Sequence, residues 1–294
     1  MRSSGMRRKG VLGICSLLLA GVGLLAQALP STAVTTPNAY VALGDSYAAG
    51  PGIPNVVHSA CERSDHNYPS LVADAVHFSS FRDATCSGAR TTDMTQGQQT
   101  NPFTLVPPQF DALGPDARLV SVTIGGNDIG FASVALTCLS LMALNPFGAP
   151  CKDHYTEGGT DVLAASIAAA APKVAAVLQG IHQRSPQARV LVVGYIDIMP
   201  VTGPGCWPFV PIAVGDFSYL RGVEEQINQM IAAQASANGA TFVDTYTPSI
   251  GHDVCQDYGV RWVEGFVPTM PAAPVHPNVL GMQGAAAAVL SALH

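Results

Sequence analysis

Three short apolar runs that stop abruptly at glycine or polar residues constrain this chain most. Residues 40–43 end at Gly44-Asp45-Ser46, residues 119–124 end at Gly125-Gly126-Asn127-Asp128, and residues 189–195 form the third run. Such β-branched and aliphatic runs are typical of strands that are buried on both faces. Glycine at the stop lets the backbone turn sharply where the strand ends. These runs therefore predict a buried, parallel sheet.

The segments between these strands carry the spacing of helices. Apolar residues that recur on one face, or flanking caps, predict helices over residues 68–77, 131–142, 161–182, 216–238 and 278–293. Asp216 and Asn278 are candidate N-caps, and Pro172 is expected to kink or split its helix. Weaker strands are predicted at 81–85 and 240–243, and a loop at 96–108. This alternation predicts an α/β fold: a three-layer α/β/α sandwich around a central, mainly parallel sheet of about five strands.

Composition narrows the class of protein and its partners. The chain has 294 residues, of which 48% are hydrophobic and 12% charged, so a large core is expected. Its formal net charge is -6, and -10 without the four basic residues among the first ten. An acidic body argues against nucleic acid or anionic lipid as the main partner. No repeat or linker divides residues 34–294, so we expect one domain and a monomer.

The N-terminus has the pattern of a secretory signal. Basic residues precede the apolar run 11–25, and small residues follow at Ser31 and Ala33. We therefore expect residues 1–33 to be a signal peptide cleaved near Ala33, with Ala28 as the second option. An uncleaved membrane anchor is the alternative, but the apolar run is short for a span.

Cysteine usage agrees with export. Cys15 lies in the signal, and the even number that remains in an exported chain indicates disulfides. Pairing of sequence neighbours would close one loop between core elements in each case. We expect the disulfides Cys61–Cys86, Cys138–Cys151 and Cys206–Cys255. Metal binding is the alternative, but the chain has no Cys-x-x-Cys motif or Cys/His cluster to support it.

Chemistry-bearing residues follow the predicted strands. Ser46, Gly88 and Asn127 each come directly after a strand, and His276 lies just before the last helix. Because the carboxyl ends of parallel strands share one rim, these four loops can meet at one point. Acyl transfer needs such a set: a nucleophile, a base and hydrogen-bond donors for the oxyanion.

These residues resemble the four conserved blocks of the SGNH (GDSL) hydrolases, and of secreted actinobacterial esterases and lipases in particular. Gly-Asp-Ser-Tyr at 44–47 matches the nucleophile block, and Cys-Ser-Gly-Ala at 86–89 the glycine block. Gly-Gly-Asn-Asp at 125–128 matches the asparagine block, and His-Pro-Asn at 276–278 the histidine block. All four occur in the family's order, and the cysteine arrangement is similar as well, which supports the pairing above.

The resemblance implies a flavodoxin-like SGNH fold and a role for each matched residue. Ser46 would be the nucleophile of a secreted serine ester hydrolase, and His276 its general base. The backbone N–H groups of Ser46 and Gly88 and the side chain of Asn127 would form the oxyanion hole. Asp45 and Asp128 are interpreted as loop-fixing groups. No cofactor and no metal are implied.

One position departs from the family pattern. Where an aspartate is expected three residues before the histidine, this chain has Ala273. The histidine still needs an acceptor for its Nδ1–H. Our hypothesis is that the backbone carbonyl of Ala273 or Pro274 is that acceptor, which makes the site a Ser–His dyad. Asp257 or Glu264 folding back into the role is the alternative.

The substrate is less constrained. The apolar segment 131–147 and the proline-rich segment 199–214, with Trp207, Phe209 and Ile212, are candidate walls of an acyl pocket, or else they cap the core. A pocket there predicts esters of short or medium acyl chains or lipid esters, with transient contact to a lipid surface. Carbohydrate O-acetylesterase and acyltransferase activities would use the same site. A non-catalytic binding module is the remaining alternative.

Overall fold

The computed structural model describes residues 38–294, which form nine strands and nine α-helices. The strands are β1 (Ala39–Gly44), β2 (Val56–His58), β3 (Arg63–Ser64), β4 (Ser80–Asp83), β5 (Gln98–Asn101), β6 (Thr104–Val106), β7 (Ala117–Thr123), β8 (Arg189–Val193) and β9 (Thr241–Val243). The helices are α1 (Ser46–Ala49), α2 (Tyr68–Val76), α3 (Gly126–Ile129), α4 (Phe131–Met142), α5 (Pro150–Tyr155), α6 (Val162–Arg184), α7 (Asp216–Ala237), α8 (Tyr246–Ser249) and α9 (Val279–Leu293). The expected signal peptide, residues 1–33, lies outside the described residues.

A five-stranded parallel sheet with the order β4-β1-β7-β8-β9 lies at the centre. Val41 of β1 pairs with Val120 of β7, which pairs with Val190 of β8. The same register sets Gly44 beside Thr123, so β1 and β7 end together. The predicted parallel sheet is confirmed, and the loops after these strands share one rim.

Helices cover both faces of the sheet. Because successive side chains of a strand point to opposite faces, Val41 and Tyr40 enter different core clusters. The Val41 side packs against α6 and α7, and the Tyr40 side against α2 and α9. The predicted three-layer α/β/α architecture is therefore confirmed.

Helix α6 runs unbroken through Pro172. Proline lacks an N–H and leaves the carbonyl of Ala168, four residues earlier, without its helical partner. Both residues are exposed, so water can satisfy that carbonyl. By length and composition alone α6 could cross a membrane, but residues such as Leu163, Ile167 and Leu178 bury one face in the core.

Two local predictions need correction. The predicted loop 96–108 contains the antiparallel hairpin β5–β6. Asp216 is not the N-cap of α7, because it lies inside that helix and Gly215 precedes it. Its carboxylate instead accepts hydrogen bonds from the backbone N–H groups of Cys151 (3.0 Å) and Lys152 (2.9 Å), at the start of α5. The predicted cap of α9 is confirmed, since Asn278 Oδ1 accepts from Leu280 N at 2.9 Å.

Candidate active site

The turn after β1 presents Ser46 at the rim of the sheet. Gly44 has a φ of +145°, and a Cβ there would lie 2.7 Å from the carbonyl oxygen of Thr123, so this position requires glycine. Gln109 holds the same residue from the side. Its Oε1 accepts from Gly44 N at 2.7 Å, and its Nε2 donates to Gly44 O at 2.8 Å. The backbone that carries Ser46 is thereby fixed, and Ser46 is 9% exposed.

Asp45 joins the nucleophile turn to the neighbouring loop. It caps α1 by accepting from Tyr47 N at 3.0 Å, and its second oxygen accepts from the Tyr195 hydroxyl at 2.5 Å. The Tyr195 hydroxyl in turn accepts from Gly126 N at 2.8 Å. Burial raises the pKa of Asp45 to about 7, although the Tyr195 and Tyr47 hydrogen bonds favour its ionised form. Asp45 is thus a loop-fixing group, as the sequence indicated.

The glycine loop is tied to the Cys61–Cys86 disulfide. Ser87 N donates to Cys61 O at 3.0 Å, directly before Gly88. Gly88 has a φ of +77°, and a Cβ there would meet only Gln98 Nε2 at 3.6 Å. Glycine is therefore needed here for its backbone conformation, not for lack of space.

The asparagine loop is bound to the glycine loop. Asn127 Nδ2 donates to the Ala89 carbonyl at 2.9 Å, which holds the amide in place through one of its two N–H groups. The Asp128 carboxylate accepts from Thr91 N at 2.9 Å and from Thr91 Oγ1 at 2.6 Å. Gly88 and Asn127 consequently line the same cavity as Ser46.

His276 completes a chain of hydrogen bonds that begins at Ser46. Its Nε2 lies 2.8 Å from Ser46 Oγ, and its Nδ1 lies 2.7 Å from the Pro274 carbonyl oxygen. A carbonyl can only accept, so Nδ1 carries the proton and Nε2 is the acceptor for the serine hydroxyl. Burial lowers the pKa of His276, while the Pro274 hydrogen bond and the charge of Glu62 act in the opposite direction. Of the two carbonyls considered, Pro274 makes the contact, and Ala273 N donates to a neighbouring loop.

Glu264 is engaged elsewhere. Its fully buried carboxylate accepts from Thr269 N at 2.7 Å and from Asn278 Nδ2 at 2.8 Å. Burial alone would raise the pKa of Glu264, but these donors hold it below the usual value. Within residues 38–294, neither Glu264 nor Asp257 forms a hydrogen bond with the His276 ring.

A cavity of about 350 Å³ opens beside Ser46. Its apolar wall consists of Phe131, Ala132, Ala135 and Leu136 from α4, faced by Ile198, Ile227 and Phe266. The expected wall at 131–147 is therefore present in its first turns. The segment 199–214 does not line the cavity, because Ile212 is buried in the core and Phe209 is 91% exposed. Trp207 stacks on Phe147, with ring centroids 5.1 Å apart.

Comparison with known proteins identifies the family. A sequence model of the GDSL-like lipase/acylhydrolase family matches residues 42–283. The chain belongs to this family. Lipase 2 of Streptomyces coelicolor is 38% identical over 276 residues, which span 92% of this chain and 90% of that protein. Phospholipase A1 of Streptomyces albidoflavus is 29% identical, with a TM-score of 0.70 over 86% of this chain and 98% of that one. An extracellular lipase of Streptomyces rimosus is 30% identical, with a TM-score of 0.65 over 87% and 99%.

This GDSL hydrolase is a carboxylic ester hydrolase. Three side chains of its site escaped the sequence reasoning: Gln109, Tyr195 and Tyr47. Tyr195 ends a predicted strand, so its place at the rim was available from the pattern. Gln109 lies in an irregular stretch, and nothing in its local sequence indicates that it would grip Gly44. Among the described residues, no group of three or more His, Cys, Asp or Glu side chains could hold a metal ion.

Proposed function

We propose that this GDSL hydrolase is a secreted serine esterase or lipase that works through an acyl-enzyme on Ser46. His276 is the general base, and the Pro274 carbonyl replaces the usual acid, giving a Ser–His dyad. The observation that carries the proposal is the hydrogen-bond chain Ser46 Oγ–His276 Nε2 (2.8 Å) and His276 Nδ1–Pro274 O (2.7 Å). Both distances suit proton transfer along an oriented imidazole.

In acylation, Ser46 Oγ attacks the ester carbonyl carbon and its proton passes to His276 Nε2. The resulting imidazolium is held by the Pro274 carbonyl and then protonates the leaving alcohol as the C–O bond breaks. In deacylation, His276 takes a proton from water, hydroxide adds to the acyl carbon, and Ser46 leaves with the proton returned from Nε2. The acid product and the free enzyme result.

The oxyanion of both tetrahedral intermediates is stabilised by three donors: the Ser46 N–H, the Gly88 N–H and Asn127 Nδ2. All three residues line the cavity that Ser46 faces. Asn127 is held by the Ala89 carbonyl, so its remaining N–H needs no reorganisation when charge develops. Removal of one such donor typically costs about 10²–10³ in turnover.

The proposed substrates are esters of short or medium acyl chains, or lipid esters. The cavity wall beside Ser46 is mostly apolar, which suits a hydrocarbon chain better than a sugar. Leu136 lines the cavity and is 62% exposed, and Val267, next to the lining residue Phe266, is 83% exposed. These side chains support transient contact with a lipid surface. Secretion is supported by the signal pattern, by the disulfides and by the extracellular relative from Streptomyces rimosus.

Replacement of the nucleophile tests the proposal. Ser46→Ala should lower kcat on p-nitrophenyl esters by about 10⁴-fold or more and abolish labelling by a fluorophosphonate probe. Ser140→Ala, which removes an exposed hydroxyl from α4, is the matched control and should keep full activity. Activity retained by Ser46→Ala would reject the mechanism. A profile restricted to acetyl esters of carbohydrates would redirect the substrate assignment, as would acyl transfer to alcohols in preference to water.

A further inference from the structure

We infer that the Tyr47 hydroxyl positions His276 by holding the turn that brings the Pro274 carbonyl to the imidazole. The inference rests on the proposed Ser46–His276 mechanism and adds to it a residue that contacts neither the reacting serine oxygen nor the imidazole nitrogens. Tyr47 OH donates to the Val275 carbonyl oxygen at 2.8 Å, across 228 positions of sequence. Tyr47 follows the nucleophile directly, so one residue joins the two halves of the dyad.

The turn at Val275 needs outside support. Val275 has a φ of +58°, in the left-handed region. A β-branched residue rarely adopts this conformation, because its Cβ substituents crowd the backbone. Such a conformation persists only where surrounding contacts impose it. The contacts on the Val275 backbone are the Tyr47 hydroxyl on its carbonyl and a longer hydrogen bond, 3.3 Å, from its N–H to Gly265 O.

That conformation decides whether the imidazole has its acceptor. Pro274 and His276 are separated by Val275 alone, so the torsion angles of Val275 set the distance between the Pro274 oxygen and His276 Nδ1. With Val275 in the left-handed region this distance is 2.7 Å. A relaxed Val275 would turn the Pro274 carbonyl away and leave Nδ1–H without its oriented partner.

Tyr47 is itself held firmly. Its ring packs edge-on against Tyr195 (centroids 5.1 Å apart) and lies 5.2 Å from the His276 ring. Its N–H is bound to Asp45 at 3.0 Å. The hydroxyl is therefore a fixed donor, and phenylalanine at this position would keep the ring contacts and lose only the hydrogen bond to Val275.

The variant Tyr47→Phe tests the inference. We expect kcat to fall roughly tenfold or more, since small misplacements of a catalytic group are costly, with KM changed less than about twofold. The rate of fluorophosphonate labelling should fall in proportion. The acid limb of the pH profile of kcat/KM should move to lower pH, because the Pro274 hydrogen bond raises the pKa of His276. The other ionisable side chains that line the cavity, all unchanged in this variant, are Asp45, Glu62, Tyr195 and Glu224.

Tyr40→Phe is the matched control. It also removes a buried tyrosine hydroxyl, one hydrogen bonded to Ser121 at 2.7 Å within the sheet. It should leave kcat and the pH profile unchanged. The inference is overturned if Tyr47→Phe has the same kcat and pH profile as Tyr40→Phe, or if its loss appears in KM with an unmoved acid limb. Failure of the underlying mechanism looks different, because Ser46→Ala would then stay active and the wild-type protein would resist the fluorophosphonate.

Discussion

Asp45 should make the protein less stable as pH rises from about 4 to about 7. Its carboxyl is 1% exposed, and burial raises its pKa from 3.8 to about 7 in the folded protein. In the unfolded chain Asp45 titrates near the ordinary value. Between these two values the unfolded state ionises freely and the folded state does not. The stabilising effect of the raised pKa is therefore complete below pH 4 and is lost as pH rises to 7.

The size of the effect follows from the two pKa values. Each pKa unit corresponds to about 1.4 kcal/mol, so a rise from 3.8 to about 7 corresponds to roughly 4 kcal/mol at pH 8. The slope contributed by this one carboxyl is about 1.4 kcal/mol per pH unit in the middle of the range. Burial also raises the pKa of Asp83, Asp197 and Glu224, so their contributions have the same sign.

Urea unfolding at several pH values between 5 and 8 measures this slope. Asp45→Asn keeps an oxygen for the cap of α1 and cannot ionise, so the fall in the free energy of unfolding with pH should become shallower by up to that slope. Asp116→Asn is the control. Asp116 is partly exposed and paired with Arg82, and that hydrogen bond lowers its pKa, so its effect falls below about pH 4. Equal slopes for wild type and Asp45→Asn would refute the assignment of a protonated buried acid.

The remaining predictions concern the loops around the site. Replacing Cys61 and Cys86 together by alanine opens a loop with a sequence separation of 25, which should cost roughly 3 kcal/mol in urea unfolding and also lower kcat, because the Gly88 turn is tied to this bridge. Unchanged stability and no free thiols in the wild type after mild reduction would contradict it. Glu264→Gln and Asp257→Ala should each keep kcat within about threefold, since a lost polar contact at a non-reacting site acts on stability. A collapse of kcat in either variant would show that a carboxylate serves His276.

The sheet was predictable because its signal is local. Runs such as 119–124 are β-branched and apolar throughout, and no other element buries such a run so well. The four blocks lie at strand ends, so a parallel sheet brings them to one rim. The hairpin β5–β6 was missed because its residues are polar and exposed, and neither property distinguishes a short strand from a loop.

What the sequence could not reveal are contacts between residues far apart in the chain. The grip of Gln109 on Gly44 spans 65 positions, and the bond between Tyr195 and Asp45 spans 150. Each depends on the exact approach of two loops, which local propensity does not encode. The choice of Pro274 over Ala273 depends on the backbone torsions of Val275, whose left-handed conformation is contrary to the preference of valine.

A carbonyl acceptor for His276 suits the electrostatics of this cavity. Two carboxyl groups, Asp45 and Glu224, already line it, and burial raises the pKa of both. A third carboxylate in place of Ala273 would meet the same desolvation and the repulsion of its neighbours. The Pro274 carbonyl orients the imidazole and fixes its tautomer without adding net charge. It gives less stabilisation to the imidazolium than a carboxylate, and the negative charge of Glu62, which raises the pKa of His276, offsets part of that loss.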